Sequence, residues 1–423
     1  MAFAGSVFGR AVIASFHYST IPLPMSRRTA ISREGYYYLA VLALVLGGAM
    51  MRDVNLLLLL AGLMSGPVVF GWRAVGLTLR GLDVERKLPR SLCADDLLVV
   101  HLEVNNTRRK VGSWAVVLED RVEREEPGPV GRRLRPSVLF PHLPAGSLQS
   151  GSYRGRLPAR GRYRFGPLRM ATRFPFGLFA RTLGVGRTET LVVFPKLGRL
   201  TRHWAARHRE AFAGVPRRER RHGTDGDFYG LRPWRQGDSR RWIDWRSSAR
   251  RGTLLVRQFE QPRHRDLALL VDLWQPARSD AVSLDAVELA VSFAATVVTD
   301  LCRKGDAHLH LMAAGRRIEQ VRGPTSVPLL NEALQCLAVA DADSRNRLPE
   351  ALARFLREAD PGAELVLATS RSIDLRDVSR FAAVFGNPAL AARLRQVRVI
   401  DASDEELRKY FEVIGGESGG MME

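Results

Sequence analysis

Two uncharged runs near the amino terminus, GYYYLAVLALVLGGAMM (Gly35 to Met51) and VNLLLLLAGLMSGPVVFGW (Val54 to Trp72), are separated only by Arg52-Asp53. At about 1.5 Å per helical residue the runs cover roughly 25 to 29 Å each, close to the hydrocarbon thickness of a bilayer. One continuous helix would hold Arg52 and Asp53 in lipid, whereas a hairpin places them in a turn at the far interface. Residues 35–72 therefore read as two transmembrane helices, with Tyr36, Tyr37, Tyr38 and Trp72 at the positions of interfacial aromatic belts. Arg27, Arg28 and Arg33 precede the first run, and Arg73, Arg80, Arg86 and Lys87 follow the second, so the positive-inside rule puts both ends in the cytoplasm. A signal-peptide core in the first run would leave the second as a buried soluble helix, but that run is too apolar on every side for a surface helix. Residues 1–34 read as a disordered leader, and Met25 before Ser-Arg-Arg is a second plausible start.

Outward from the hairpin, the chain of 423 residues leaves enough length for two globular domains. Its charge of +20 is unevenly spread: residues 1–200 carry +16, 201–264 carry +9 and 265–423 carry −5, with arginine far outnumbering lysine. The last third is thus no polyanion binder by charge. Cys93, Cys302 and Cys336 form no CxxC or Cys/His cluster, which points neither to a disulfide framework nor to zinc. No other cofactor is indicated.

Between 76 and 196 short alternating runs such as LLVVHLEV (97–104), WAVVLEDRV (114–122) and TLVVFP (190–195) are separated by Gly, Pro and Asn-Asn breaks. That spacing predicts an antiparallel β-sandwich-like domain. Residues 201–222 are Arg-rich without an apolar face and read as a basic linker. From 263 to 412 the pattern changes. DLALLVDLW (266–274), AHLHLMAAG (307–315), ELVLATS (364–370) and QVRVIDAS (396–403) are strand runs, and amphipathic segments lie between them. This predicts a doubly wound α/β domain with a mostly parallel sheet, whose ligand edge lies near Asp272, Ser370 and Asp401. Residues 413–423 read as a flexible tail.

The most unusual window is DFYGLRPWRQGDSRRWIDWRSSARRGTLLVRQFE (227–260), with three tryptophans and four acids among its arginines. Asp238 after Gly237 suits a helix N-cap, and Gly252 suits a stop before the strand TLLVRQF. Trp242 and Trp245 fall one turn apart, and Asp244 lies four residues from both Arg240 and Ser248.

Within segment 223–262, the pattern carried by Gly230, Leu231, Arg232, Gly237, Asp238, Arg241, Ile243, Asp244, Trp245, Ser248, Ala249, Arg250, Gly252, Leu254, Val256, Arg257, Phe259 and Glu260 resembles the signature of the bacterial family called domain of unknown function 58. GRYRFGP (161–167) and FPFGLF (174–179) also resemble that family. The resemblance implies a carboxyl-terminal von Willebrand factor A-like domain and association with a MoxR-type AAA+ ATPase in maturing or remodelling other proteins. Such domains often hold Mg²⁺ through an Asp-x-Ser-x-Ser loop, a Thr and a further Asp. Asp272 is in place here, but Trp274 and Pro276 stand where the serines would be, Ser370 stands for the third-loop Asp, and Thr325 is the candidate Thr. The expectation is a degenerate site without metal.

Three functions follow from these readings. A non-enzymatic, membrane-tethered adaptor would use Arg232, Gly237, Asp238, Arg241, Asp244, Trp245, Ser248, Arg250, Arg257 and Glu260 as a docking or signature surface, since Arg and Trp dominate interface hot spots. A hydrolase would use Asp238, Asp244 or Glu260 as acid and base, which requires a shared cleft and shifted pKa values. Nucleic-acid binding would use the basic and aromatic residues of 201–264, against which the acids inside that window and the membrane anchor count.

Overall fold

The computed structural model describes residues 28–52, 55–125, 133–185, 188–206, 227–236, 238–260, 266–278, 281–305, 307–403 and 406–413. They fall into two compact units, divided between Lys196 and Leu197.

The first unit begins with strand β1 (Arg28–Ile31) and two helices, α1 (Arg33–Arg52) and α2 (Asn55–Thr78). Both helices are long and apolar enough to cross a bilayer, and most of their surface is not covered by protein. α2 continues past Trp72 to Thr78, with Pro67 inside it. Eleven strands follow: β2 (Leu82–Lys87), β3 (Leu92–Cys93), β4 (Leu97–Asn106), β5 (Ser113–Glu119), β6 (Val122–Arg124), β7 (Ser137–Leu143), β8 (Leu148–Arg156), β9 (Gly161–Phe165), β10 (Leu168–Thr172), β11 (Phe179–Val185) and β12 (Glu189–Phe194). They make sheets in the orders β1-β11-β10-β5-β7, β3-β12-β9-β6 and β2-β4-β8. Pairing is antiparallel apart from β3 with β12, which run parallel. In β4, Leu98, Val100, Leu102 and Val104 alternate inward, as a strand with one buried face requires. They meet Val116, Leu118, Phe140, Phe165 and Met170 in one core shared by the three sheets. Each such side chain contributes about 1.5 to 3 kcal/mol by leaving water. Part of the stretch 1–34 read as a disordered leader is a strand: Thr29 to Ile31 extend the first sheet by pairing with Arg181 to Phe179. The ladder partners that hold these residues lie some 150 positions away, beyond the reach of any local pattern.

In the second unit, β13 (Gly198–Leu200) pairs with β21 (Phe411–Val413). β14 (Asp227–Pro233) and β15 (Leu255–Glu260) form a hairpin of their own, and α3 (Trp245–Arg251) lies in its connection. The main sheet has the order β18-β17-β16-β19-β20, from β16 (Leu267–Asp272), β17 (His308–Ala314), β18 (Ile318–Pro324), β19 (Glu364–Thr369) and β20 (Arg398–Asp401). It is parallel except for edge strand β18. β16 is buried along its whole length, the mark of a strand covered on both faces. Ala268 and Leu270 pack against Leu352, Phe355 and Leu356 of α6 (Leu348–Glu358), which follows α5 (Val327–Val339), while Leu267 lies with Val297 and Leu301 of α4 (Ala281–Lys304). α4 is itself apolar and long enough for a membrane span, but most of it is buried in this unit, which identifies it as a core helix.

The stretch read as a basic linker opens with a helical turn at 202–206. Trp204 is buried, edge-on to Phe293 of α4 at 5.3 Å, and the Arg398 guanidinium lies 5.3 Å from its ring centre. One large aromatic anchors what an average over polar residues treats as mobile. Residues 207–222 lie outside the described residues, as does most of the tail from 413.

His310 on β17 is buried against Phe355 of α6, with ring centres 5.6 Å apart, and neither ring nitrogen meets hydrogen-bond geometry with a described residue. Burial, with help from Arg322, holds its pKa below the usual 6.5, against opposing pulls from Glu358 and Asp360. The unfolded chain binds a proton below pH 6.5 that the folded chain refuses, so stability present above 6.5 is lost as pH falls through that value toward the folded pKa. The unfolding midpoint of the second unit should therefore drop between about pH 7.5 and 5.5, and His310→Leu should flatten that limb. An equal drop in the variant would assign the effect to other groups.

Candidate functional site

The segment Asp227 to Glu260 divides its residues between a lattice and an exposed face. Arg232 at the end of β14 donates a bidentate pair to Asp238, with Nη2 to Oδ1 at 2.7 Å, and the Arg235 N–H donates to Asp238 Oδ2 at 2.8 Å. Asp238 is thereby a loop clasp. The N-cap expected of it is supplied instead by Asp244, whose Oδ1 accepts from the Ser247 N–H at 3.0 Å at the start of α3. A short 3-10 turn at Arg240–Trp242, capped by Ser239, keeps Trp242 off the helix that carries Trp245. The other Asp244 oxygen accepts from Arg257 Nε at 2.9 Å, across to β15, where Arg240 had been the expected partner. Ser248 ties the two elements: its hydroxyl donates to the Asp244 carbonyl at 2.7 Å and accepts from the Leu255 N–H at 2.9 Å. Gly252 ends α3 in the left-handed conformation (φ 66°), where a side chain would be strained. The Ser247 N–H and Arg257 hold the Asp244 carboxyl below its usual range.

Beneath α3, Ile243, Leu255 and Val256 are buried. On its outer side Trp245 is 65% exposed, with Arg241, Arg246 and Arg250 exposed around it. Gly237 and the Glu260 side chain lie outside the described residues. Asp238 and Asp244 are both held by arginines, Asp238 by Arg232 and Asp244 by Arg257, so each carboxylate is engaged in a structural ion pair.

Parallel sheets of this kind bind ligands at the carboxyl edge of their strands. Asp272 ends β16 and is buried. Arg371, two residues past β19, donates from Nε to Asp272 Oδ2 at 3.2 Å and from Nη2 to Asn346 Oδ1 at 2.6 Å. Its guanidinium carbon lies 4.3 Å from the centre of the Trp274 ring. Ser370 Oγ donates to the Trp274 carbonyl at 2.6 Å, and Trp274 Nε1 donates to the Ser344 carbonyl at 2.9 Å. Ser370 and Trp274 thus hold a cation in place as backbone ties and a stacking plane. Asp401 spends its Oδ1 on the Ser403 N–H and hydroxyl.

Thr325 does not join this cluster. Because β18 runs antiparallel, Pro324 is level with His308 at the amino end of β17, and the Thr325 N–H donates to the Ala307 carbonyl at 2.8 Å. Asp272 is level with Ala314 at the opposite end, about 20 Å away at 3.3 Å per residue. The Asp272 and Thr325 pairing expected of a degenerate metal loop is therefore excluded. No cluster of His, Cys, Asp and Glu suited to a metal occurs among the described residues. Arg371 was the residue that sequence reasoning missed, since its partner lies 99 positions away; the one available signal was an arginine directly after the strand end ATS.

These features define a chain with two apolar amino-terminal helices, a mostly β unit, and an α/β unit preceded by an Arg/Trp/Asp hairpin. Residues 230–422 match the family described as Protein of unknown function DUF58, in agreement with the resemblance carried by segment 223–262. A similar curated protein is the Uncharacterized protein YeaD of Bacillus subtilis (strain 168), 28% identical over 204 residues, 48% of this chain and 47% of that protein. The chain thus matches about half the length of that relative. Among solved structures, the CARDB domain of a Pyrococcus furiosus protein is 12% identical, covers 25% of this chain and 94% of that one, and has a TM-score of 0.16. The sporulation control protein Spo0M of Bacillus subtilis is 9% identical over 37% of this chain and 58% of that one, with a TM-score of 0.17. Scores this low leave the fold undefined by likeness.

Proposed function

We propose that this chain is a membrane-tethered, non-enzymatic adaptor that acts through protein–protein contacts, with a MoxR-type AAA+ ATPase as partner, in protein maturation or envelope-related processes. The carrying observation is Trp245, exposed among Arg241, Arg246 and Arg250 on a helix that its cap and ion pairs hold rigid. Preorganised Trp and Arg side chains lose little freedom on docking and are the types that dominate interface energy. The cationic surround fits an acidic partner face. The arginine-bound state of Asp238 and Asp244 supports this reading over hydrolysis, and the acids among the arginines weigh against a nucleic-acid role.

The sheet order with its antiparallel edge strand supports a von Willebrand A-like domain that has exchanged a metal for Arg371. Arginine flanks support α1 and α2 as spans of the bacterial cytoplasmic membrane, with both termini and the soluble units cytoplasmic. Trp245→Ala should weaken capture of a MoxR-type ATPase by the detergent-solubilised chain by tenfold or more, about 1.4 to 2 kcal/mol, and Arg250→Ala should weaken it less. Both side chains point outward, so circular dichroism and the melting midpoint should stay at the parent values. Undiminished capture by Trp245→Ala would remove this face from the interface.

A further inference from the structure

α2 delivers its last uncharged turn, Phe70 to Trp72, immediately before Arg73. On a helix rising about 1.5 Å per residue, Phe70 sits about 4.5 Å to the bilayer side of Arg73. The loop between β10 and β11, RFPFGL (173–178), reaches that level: the Phe176 ring lies 6.1 Å from the Phe70 ring, edge to face. Both rings are solvent-facing in the protein alone, 59% exposed for Phe70 and 52% for Phe176.

The loop is fixed there from the α1 side. The Ser32 N–H and hydroxyl both donate to the Leu178 carbonyl, at 2.9 and 3.0 Å. At Gly35 a Cβ atom would come 2.2 Å from that carbonyl oxygen, so the glycine is what lets helix and loop approach. Towards the β sheets the aromatic surface continues through Phe174 to half-exposed Trp114, with ring centres 6.0 Å apart. Arg33, Arg73 and Arg173 are exposed on the same elements.

An exposed aromatic tip at the depth of the last apolar helical turn, flanked by arginines, has the composition of a bilayer interface: rings at the acyl boundary and cations at anionic headgroups. We propose that the 173–178 loop is a lipid-inserting element, with Phe176 entering the acyl–headgroup boundary and Arg173 engaging anionic phospholipid. This rests on the reading of α1 and α2 as membrane spans. The anchor is then more than a tether, because the loop binds the β unit against the membrane surface.

The test uses the full chain in vesicles of phosphatidylethanolamine and phosphatidylglycerol, with Cys93, Cys302 and Cys336 replaced by alanine and a spin label on Phe176→Cys. The control label is on Leu97→Cys, exposed at the end of β4 opposite Asn106, whose strand partner Leu82 follows α2. At position 176 collisions with oxygen should exceed those with an aqueous nickel chelate severalfold, and at position 97 the order should reverse. In the otherwise native chain, benzoylphenylalanine at position 176 should form phospholipid adducts on irradiation. A label at 176 as open to the nickel chelate as that at 97, in protein that resists alkaline extraction, would overturn the loop proposal and leave the spans intact. Protein lost from the vesicles on extraction would take down both. Adducts to a protein instead of lipid would mark the loop as a partner contact and also overturn the proposal.

Discussion

Asp120→Ala should unfold the first unit under conditions where the parent chain is intact, with a loss of about 3 to 5 kcal/mol, the usual cost of stranding one charge of a buried pair. The side chains of Arg86 and Asp120 are 1% and 0% exposed. Arg86 is inside because β2 alternates: Leu82, Val84 and Arg86 share the inward face, and a guanidinium placed there must be satisfied. Asp120 does so with both oxygens, accepting from Nη2 at 2.8 Å and Nε at 2.9 Å, and Nη1 reaches the Phe165 carbonyl at 3.3 Å. The Tyr153 hydroxyl donates to Asp120 at 2.7 Å, and burial together with that carboxylate drives its pKa far upward, so it remains a donor at any physiological pH. β2, β8 and the segment after β5 are therefore joined through one carboxylate. Removing Asp120 takes the bidentate acceptor from a buried guanidinium, whose remaining carboxylate neighbour is half-exposed Glu189 at 3.5 Å, and the acceptor from a buried phenol. Replacing the pair together, Arg86→Met with Asp120→Leu, should recover much of the loss, because both buried charges are gone and the carboxylate left behind, Glu189, is half-exposed. Denaturant unfolding in detergent, followed by far-ultraviolet circular dichroism, measures both. A single variant within about 1 kcal/mol of the parent would show that water reaches the site and that the pair carries little of the core's stability.

Which parts of this protein a reader of the sequence can see follows from how local each cause is. The two apolar helices and the fully buried β16 are written in consecutive residues, and Gly252 marks the end of α3 because a left-handed residue is a one-position requirement. Trp204 defeats the same reading: one anchoring aromatic in a polar stretch has no period to detect, and its partner Phe293 lies in another helix. The choice of Asp244 over Asp238 as the cap is undecidable locally, since both precede plausible helices. It is settled by Arg232, which takes Asp238 from across the loop. Thr325 is misplaced for a topological reason. The run Ile318–Pro324 is not among the strand runs read from the sequence, and as an added antiparallel strand, β18, it returns the chain from the carboxyl edge of the sheet to the amino edge before Thr325.

The same edge yields the second large effect. Arg371→Ala should destabilise the α/β unit by about 3 to 5 kcal/mol at neutral pH, because Asp272 would stay buried with its countercharge gone. Burial already raises the Asp272 pKa above 3.8, and Arg371 is the principal opposing influence. Without Arg371 the folded chain holds its proton to still higher pH. The unfolded chain releases that proton near pH 3.8, so the variant's stability should be greatest in acid and fall as pH rises from there through the raised folded pKa. Asp272→Asn added to Arg371→Ala should abolish that slope and return part of the stability. Loss without the pH slope would mean that the stacking on Trp274 and the bond to Asn346 matter more than the charge pair. The guanidinium also bears on the metal question. With a fixed cation 3.2 Å from Asp272, and Thr325 at the far edge, calorimetric titration of the parent chain with Mg²⁺ or Mn²⁺ should show no binding at sub-millimolar concentration. Clear binding that disappears in Asp272→Ala would require Arg371 to swing out. The site would then be one where a divalent cation and an arginine compete for one carboxylate.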